Sequence, residues 1–260
     1  MDWLSIHEGK APLIVSLPHT GTDIPDDVAR GLVSRELALH DTDWHIEKLY
    51  DFASELGATV VHTAISRTVI DVNRDPSGIS LYPGQATTEL CPATTFDGRA
   101  LYRAGSAPDA AEIVRRRAAY FEPYHAALAA QVARLRGRHW HVIVFDAHSI
   151  RSVVPRLFEG ELPVLNIGTN GGVSAERVIQ EKIVSACAAS GFSSVLNGRF
   201  KGGWITRSLG APQNGVSAVQ LEIACRGYLD EVETGEPAYG ERAEPMRAFL
   251  RGLLADLATV

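Results

Sequence analysis

Cysteine is scarce: only Cys91, Cys187 and Cys225 occur in the 260 residues. They are an odd number, widely spaced, and no two form a CxxC pair, which excludes a disulfide-stapled scaffold and a cysteine-based structural zinc. Long apolar runs are also missing, since no window approaches the ~18 or more consecutive apolar residues that a membrane helix requires. The opening stretch MDWLSIHEGK has neither the basic nor the apolar region of a secretory leader. The expectation is a cytoplasmic protein with reduced thiols and no membrane partner. Positive charge is in deficit, with 25 Lys and Arg against 31 Asp and Glu, a net charge of −6. That balance argues against a nucleic-acid footprint, which needs a basic excess on one face. The single basic run, Arg115 to Arg117, lies in a helical apolar pattern and reads as a solvated helix face. No GxGxxG follows the first strand, the glycines of KGGWITRSLG have no phosphate-loop spacing, and GxSxG is absent.

What remains is an ordinary globular composition, 45% hydrophobic and 22% charged, in a chain short enough for one core. PLIVSLPH, ATVVHTAIS, TVIDVNR, HVIVFDAHS, LPVLNIGT and VSAVQLEIA read as strands. Helices are expected over Pro25 to Ala38, over DTDWHIEKLYDFASELG up to Gly57, from about Pro108 to Arg138, over SAERVIQEKIVSACAASG and over EPMRAFLRGLLADL. Between them, DPSGISLYPGQATTELCPATTFDG is long enough to be a lid or binding loop. Strands alternating with helices predict an α/β fold, a three-layer α/β/α sandwich on a mostly parallel mixed sheet, as one domain over residues 1–260. Ligands of such sheets gather at the carboxyl ends of the strands.

Three of those strands carry the same peculiarity. LIVSLPH ends in His19, VIVFDAH ends in His148, and AVQLEIA holds Glu222 inside an apolar run. Two imidazoles and an acid suit a divalent metal, with zinc favoured. Asp43, at the start of the DTDWHIEKLY helix, is the expected third ligand ahead of Asp23, with Asp41 and His45 as competitors. Asp146 reads either as an acceptor behind a ligand histidine or as a strand-end cap, and His125 as a packed helix residue. An ionised Glu222 in a buried strand is costly without a partner, and a metal-activated water would be one, making Glu222 a general acid/base. Arg67, Arg74, Arg151 and Arg207 mark the same edge and suggest a small anionic substrate such as a dicarboxylate. Arg103, Arg199 and Arg226 read as surface residues.

Together, VSLPHTGTDIP, DTDWHIEKLYDFA, SRTVIDVNRDP, LYPGQ, FDAHSIRSVVPRLFEGELPVLNIGTN, NGRFKGGWITR and AVQLEIACRGYLDE resemble the N-formylglutamate deformylase (N-formylglutamate amidohydrolase) family along nearly the whole chain. The resemblance implies a zinc-carboxypeptidase-like (phosphorylase/hydrolase-like) fold and one zinc ion. It further implies hydrolysis of N-formyl-L-glutamate to formate and L-glutamate, the last step in one route of histidine breakdown. His19 and His148 would be the imidazole ligands and Glu222 the catalytic carboxylate. Unlike the carboxypeptidases, HTGT has no glutamate three residues after His19, so the acidic ligand does not carry over and Asp43 rests on the residue pattern alone. Arg67, Asn73, Arg74, Arg151 and Arg207 are the candidates for gripping the substrate carboxylates. The alternatives are a zinc-dependent deacylase of another N-acyl amino acid, or a non-catalytic dicarboxylate-binding protein. The oligomeric state is left open.

Overall fold

The computed structural model describes residues 2–260. Seven strands form one mixed sheet: β1 (Leu4–His7), β2 (Leu13–Leu17), β3 (Thr59–Thr63), β4 (Val142–Ile150), β5 (Leu165–Gly168), β6 (Ser194–Leu196) and β7 (Val216–Ala224). Their spatial order is β1-β3-β2-β4-β7-β5-β6. The four central strands β3, β2, β4 and β7 run parallel, while β1 is antiparallel to β3, and β5 to β7. The helices are α1 (Asp26–Ala29), α2 (Arg35–Ala38), α3 (Ile46–Leu49), α4 (Ala110–Arg116), α5 (Glu122–Arg136), α6 (Arg177–Ala189), α7 (Trp204–Leu209) and α8 (Glu244–Leu257). Among the described residues, no helix is long and apolar enough to cross a membrane.

The alternation of side chains along each strand divides the core into two layers. On one face Leu13, Val15, Ile143, Phe145, Val219 and Leu221 pack against Ile179 and Ile183 of α6 and Leu250 and Leu254 of α8. On the other, Ile14, Val142, Val144 and Ala218 pack against Tyr124, Leu128 and Leu135 of α5. All are almost fully buried, and each large aliphatic or aromatic side chain contributes about 1.5–3 kcal/mol by leaving water. The three-layer α/β architecture expected from the alternating pattern is the one observed.

The α5 face changes character partway along. In β4 the series Val142, Val144 continues as Asp146 and His148; in β7 Ala218 continues as Gln220 and Glu222; in β2 Ile14 is followed by Ser16. These polar side chains are all buried. The register sets Ser16 beside Asp146, Asp146 beside Gln220, and His148 beside Glu222. Apolar packing thus fixes one half of the sheet, and a buried polar patch occupies the carboxyl ends of the same strands.

Several elements differ from the sequence expectation. Pro25 to Ala38 forms two short helices because Ser34 starts α2 afresh, its side chain accepting from the Leu37 N–H at 3.1 Å. The DTDWHIEKLYDFASELG helix is broken: His45 adopts a left-handed backbone (φ 61), so α3 begins after it, and a 3-10 turn over Asp51–Leu56 follows. TVIDVNR is a series of turns instead of a strand, tightened where Asp71 accepts from the Asn73 N–H at 2.9 Å. The long helix is interrupted by a π-helical turn over Arg117–Phe121. β1, unforeseen in the sequence, is a mostly exposed edge strand. Within the basic run, Arg116 is buried to 3% exposure, donating to the Val69 carbonyl and to Tyr102 Oη, so the run is not uniformly solvated. All three cysteines are free and buried.

Candidate metal centre and its cavity

His19 follows the end of β2, and its carbonyl accepts from the Asp43 N–H at 3.1 Å, which ties the segment before α3 to the strand edge. That tie, rather than a helix cap, carries Asp43 inward. His148 enters from β4. One donor atom each from His19, Asp43 and His148 lie within 4.8 Å of one another, and all three residues are buried. His148 Nδ1 is 3.1 Å from Asp43 Oδ2, and His19 Nδ1 is 3.7 Å from the same oxygen. The two rings sit with centroids 4.7 Å apart.

Each ring is held from behind by a buried carboxylate. His19 Nε2 lies 2.7 Å from Asp71 Oδ1, and His148 Nε2 lies 2.9 Å from Asp146 Oδ2. Asp146 is fixed in turn by the Ser16 hydroxyl at 2.9 Å and the Asn73 amide at 2.9 Å, and Ser16 shares a hydrogen bond with Tyr124 Oη of α5 at 3.0 Å. Arg67 bridges the two sides, donating to Asp43 Oδ1 at 3.2 Å and to Asp71 Oδ2 at 2.8 Å. Burial by itself raises the Asp71 carboxyl, but the positive charges of Arg74, His19 and Arg67 outweigh it and hold the group well below the usual carboxylate range. Asp43 is likewise driven down against its burial, by hydrogen bonds from His148 and His19. Burial opposes charge on His148, yet Asp146 and Asp43 raise its proton affinity well above an ordinary histidine.

His19 Nδ1 is the exception in this network. It is buried and has no hydrogen-bond partner, whereas the ring nitrogens of His148 and the carboxylates of Asp43, Asp71 and Asp146 all have one. A buried orphan nitrogen costs on the order of 1–3 kcal/mol. A cation between it, Asp43 and His148 Nδ1 removes that cost, and rings backed by carboxylates on their outer nitrogens are the arrangement metal-ligating histidines adopt. The donor set therefore fits a divalent ion.

Glu222 stands in register beside His148 and accepts from Gln220 Nε2 at 2.9 Å; Gln220 Oε1 in turn accepts from the Gly203 N–H at 2.7 Å. Burial pushes the Glu222 carboxyl up to about 7, with Asp43 and Asp146 adding to the rise and His148 and Arg67 opposing it.

A cavity of about 160 Å³ opens beside these groups, lined by His19, His148, Glu222 and Asn73 together with residues of the 75–90 loop. Arg67, Arg74 and Arg199 also line it. Arg151 and Arg207, expected from sequence beside them, do not. Arg151 pairs with Asp41 at 3.2 Å and Asp97 at 2.9 Å, and Arg207 donates to the Gly202 carbonyl at 2.9 Å while stacking on Tyr82. Arg199, read from sequence as a surface residue, takes a place in the wall. Asn73 contacts Asp146 and the His148 ring, so its amide is engaged in holding the polar patch. The competitors of Asp43 lie elsewhere. Asp23 pairs with Ile65 in a short bridge, Asp41 accepts from the Phe96 N–H at 2.7 Å, and His45 Nε2 contacts the Pro237 carbonyl at 2.7 Å. Asp71 was not foreseen, although its position four residues after Arg67 and two before Asn73 was readable in SRTVIDVNR.

Comparison with known proteins adds the following. A family model described as N-formylglutamate amidohydrolase matches residues 11–229. A Pseudomonas aeruginosa protein named N-formylglutamate deformylase is 49% identical over 256 residues, covering 98% of this chain and 95% of that protein. A Pseudomonas putida protein of the same name is 47% identical over the same shares. The crystal structure of an N-formylglutamate amidohydrolase from Ralstonia eutropha JMP134 superposes with a TM-score of 0.84 at 22% identity, covering 100% of this chain and 98% of that one.

Proposed function

The chain belongs to the N-formylglutamate amidohydrolase family, and from that premise we propose that it hydrolyses N-formyl-L-glutamate to formate and L-glutamate, with a single zinc ion held by His19, Asp43 and His148. The observation that carries the metal reading is the orphaned His19 Nδ1 facing Asp43 and His148. Two imidazoles and one carboxylate, with room beside them in the cavity, are a donor set suited to catalytic zinc. Bound there, the ion supplies Lewis-acid polarisation of the acyl oxygen and lowers the pKa of water toward ~7.

The remaining work falls to the chain. Glu222 takes a proton from the attacking water and delivers it to the departing amide nitrogen; a carboxyl pushed up to about 7 is matched to both transfers near neutral pH. Gln220 holds one Glu222 oxygen and leaves the other for the reaction. Asp71 and Asp146 fix the orientation of the two rings. Arg67 lines the cavity beside these groups and supports negative charge developing on the acyl oxygen. Arg74, which lines the cavity next to Asn73, grips the carboxylate nearest the scissile amide in this reading. Arg151 and Arg207 take no part in this reading, since neither lines the cavity. Free, buried thiols accord with residence in a reducing cytoplasm.

The test is formate release from N-formyl-L-glutamate beside N-acetyl- and N-succinyl-L-glutamate, before and after chelation and after zinc is restored. Formate and glutamate should appear in equal amounts, stop on chelation and return with zinc. Undiminished turnover in chelator overturns the metal, and preference for the acetyl or succinyl compound overturns the substrate.

A further inference from the structure

Arg199 is the cavity's unmatched cation. Arg67 is neutralised by Asp43 and Asp71, and Arg74 lies 3.5 Å from Asp71, but Arg199 forms no ion pair among the described residues. It is nevertheless held firmly. Nε donates to the Leu157 carbonyl at 2.7 Å and one Nη to the Ala86 carbonyl at 2.9 Å. The guanidinium packs against the rings of Tyr82 and Phe200, each at 5.3 Å. Tyr82 is itself anchored, donating to the Gly202 carbonyl at 3.0 Å and accepting from the Lys201 N–H at 3.0 Å, so the support does not depend on a loose side chain.

An arginine fixed by carbonyls and aromatic faces, half-buried, and lining a cavity whose acids form no ion pair with it is held ready for an incoming anion. Burial, helped by the like charge of Arg74, disfavours that charge and outweighs the opposing influence of Tyr82 and Glu222.

Resting on the hydrolase reading above, we propose that Arg199 is the specificity-determining residue that receives the carboxylate remote from the scissile amide, so that the site requires a second carboxylate on the amino-acid side chain. Arg74, tied through Asp71 to the ring of His19, then serves the α-carboxylate, and Arg199, borne by the loop between β6 and α7, serves the longer arm of the substrate. A neutral side-chain amide keeps the shape of that arm and loses the charge.

The test compares N-formyl-L-glutamate with N-formyl-L-glutamine in the zinc-loaded enzyme and in Arg199→Met and Arg199→Lys. Loss of a charge-assisted hydrogen bond should raise KM for N-formyl-L-glutamate about 100-fold in Arg199→Met with kcat within about threefold, and the preference for glutamate over glutamine should collapse. Arg199→Lys should recover part of the preference. Calorimetric binding of L-glutamate against L-glutamine, read in the same three proteins, supplies an arm that needs no turnover. Absence of formate from wild type with an Arg199-dependent preference for L-glutamate would count against the hydrolase reading alone. Equal loss for both substrates in Arg199→Met, or an unchanged preference in turnover and binding, overturns the assignment of Arg199.

Discussion

Replacing Glu222 by Gln should make the metal-free protein more stable at pH 8 while lowering the turnover of the zinc-loaded enzyme. The carboxyl is 7% exposed and its proton affinity is pushed up from 4.5 to about 7 by burial. A raised folded-state pKa favours the neutral form, so the stability it contributes is complete below pH 4.5 and is lost as pH rises through about 7. At ~1.4 kcal/mol per pKa unit, the loss amounts to about 3 kcal/mol by pH 8. Glutamine retains the shape and an oxygen to accept from Gln220, and it has no charge to bury. For a chain of this length, ~2 °C of melting temperature per kcal/mol translates the difference into about 6 °C. Thermal unfolding of chelated wild type and Glu222→Gln at pH 5 and pH 8 reads it directly. The variant should melt higher at pH 8 and nearly level with wild type at pH 5, and in the zinc-loaded state it should lose about 10²–10⁴ of kcat. A Gln variant that is less stable at pH 8, or a difference that ignores pH, refutes the argument that an unpaired burial cost is stored in Glu222.

Other consequences are equally specific. Asp71→Asn leaves an oxygen for His19 but removes the charge that anchors Arg67, and zinc affinity measured by chelator competition should fall roughly 10-fold or more; unchanged affinity would exclude Asp71 as the support of the His19 ring. Gly203→Ala would place a methyl 2.5 Å from the Asn73 amide, so it should cost about 1–3 kcal/mol in calorimetric stability and disturb the Asp146 acceptor behind His148; wild-type stability would show that Asn73 is free to move.

The sequence carried the frame well where burial is regular. β4 and β7 are buried along their whole length, and α8 spans the expected EPMRAFLRGLLADL segment, because continuous or strongly periodic apolar runs leave few alternatives. The convergence of His19, His148 and Glu222 followed from reading which strands end in chemistry. Period-2 counting adds what was not drawn from the pattern, that Asp146, His148, Gln220 and Glu222 share a face with Ser16. The failures have local causes. A single left-handed residue, His45, interrupts an otherwise helical pattern, and no periodicity announces it. Asp71 lies in an apolar, β-branched stretch that resembles a strand but folds as turns around its own side chain. Arg199 could not be told from a surface arginine by its neighbours in the chain, since what holds it, the carbonyls of Leu157 and Ala86 and the ring of Tyr82, comes from distant segments.

The central claim is that His19, Asp43 and His148 share a single cation, and metal content tests it most directly. Wild type, His19→Ala and His148→Ala are brought to equilibrium with the same free zinc, checked for folding by circular dichroism, and assayed by elemental analysis. One zinc ion per wild-type chain and none retained by either folded variant is the predicted result; a wild type without zinc, or variants that hold as much as wild type, would contradict the account.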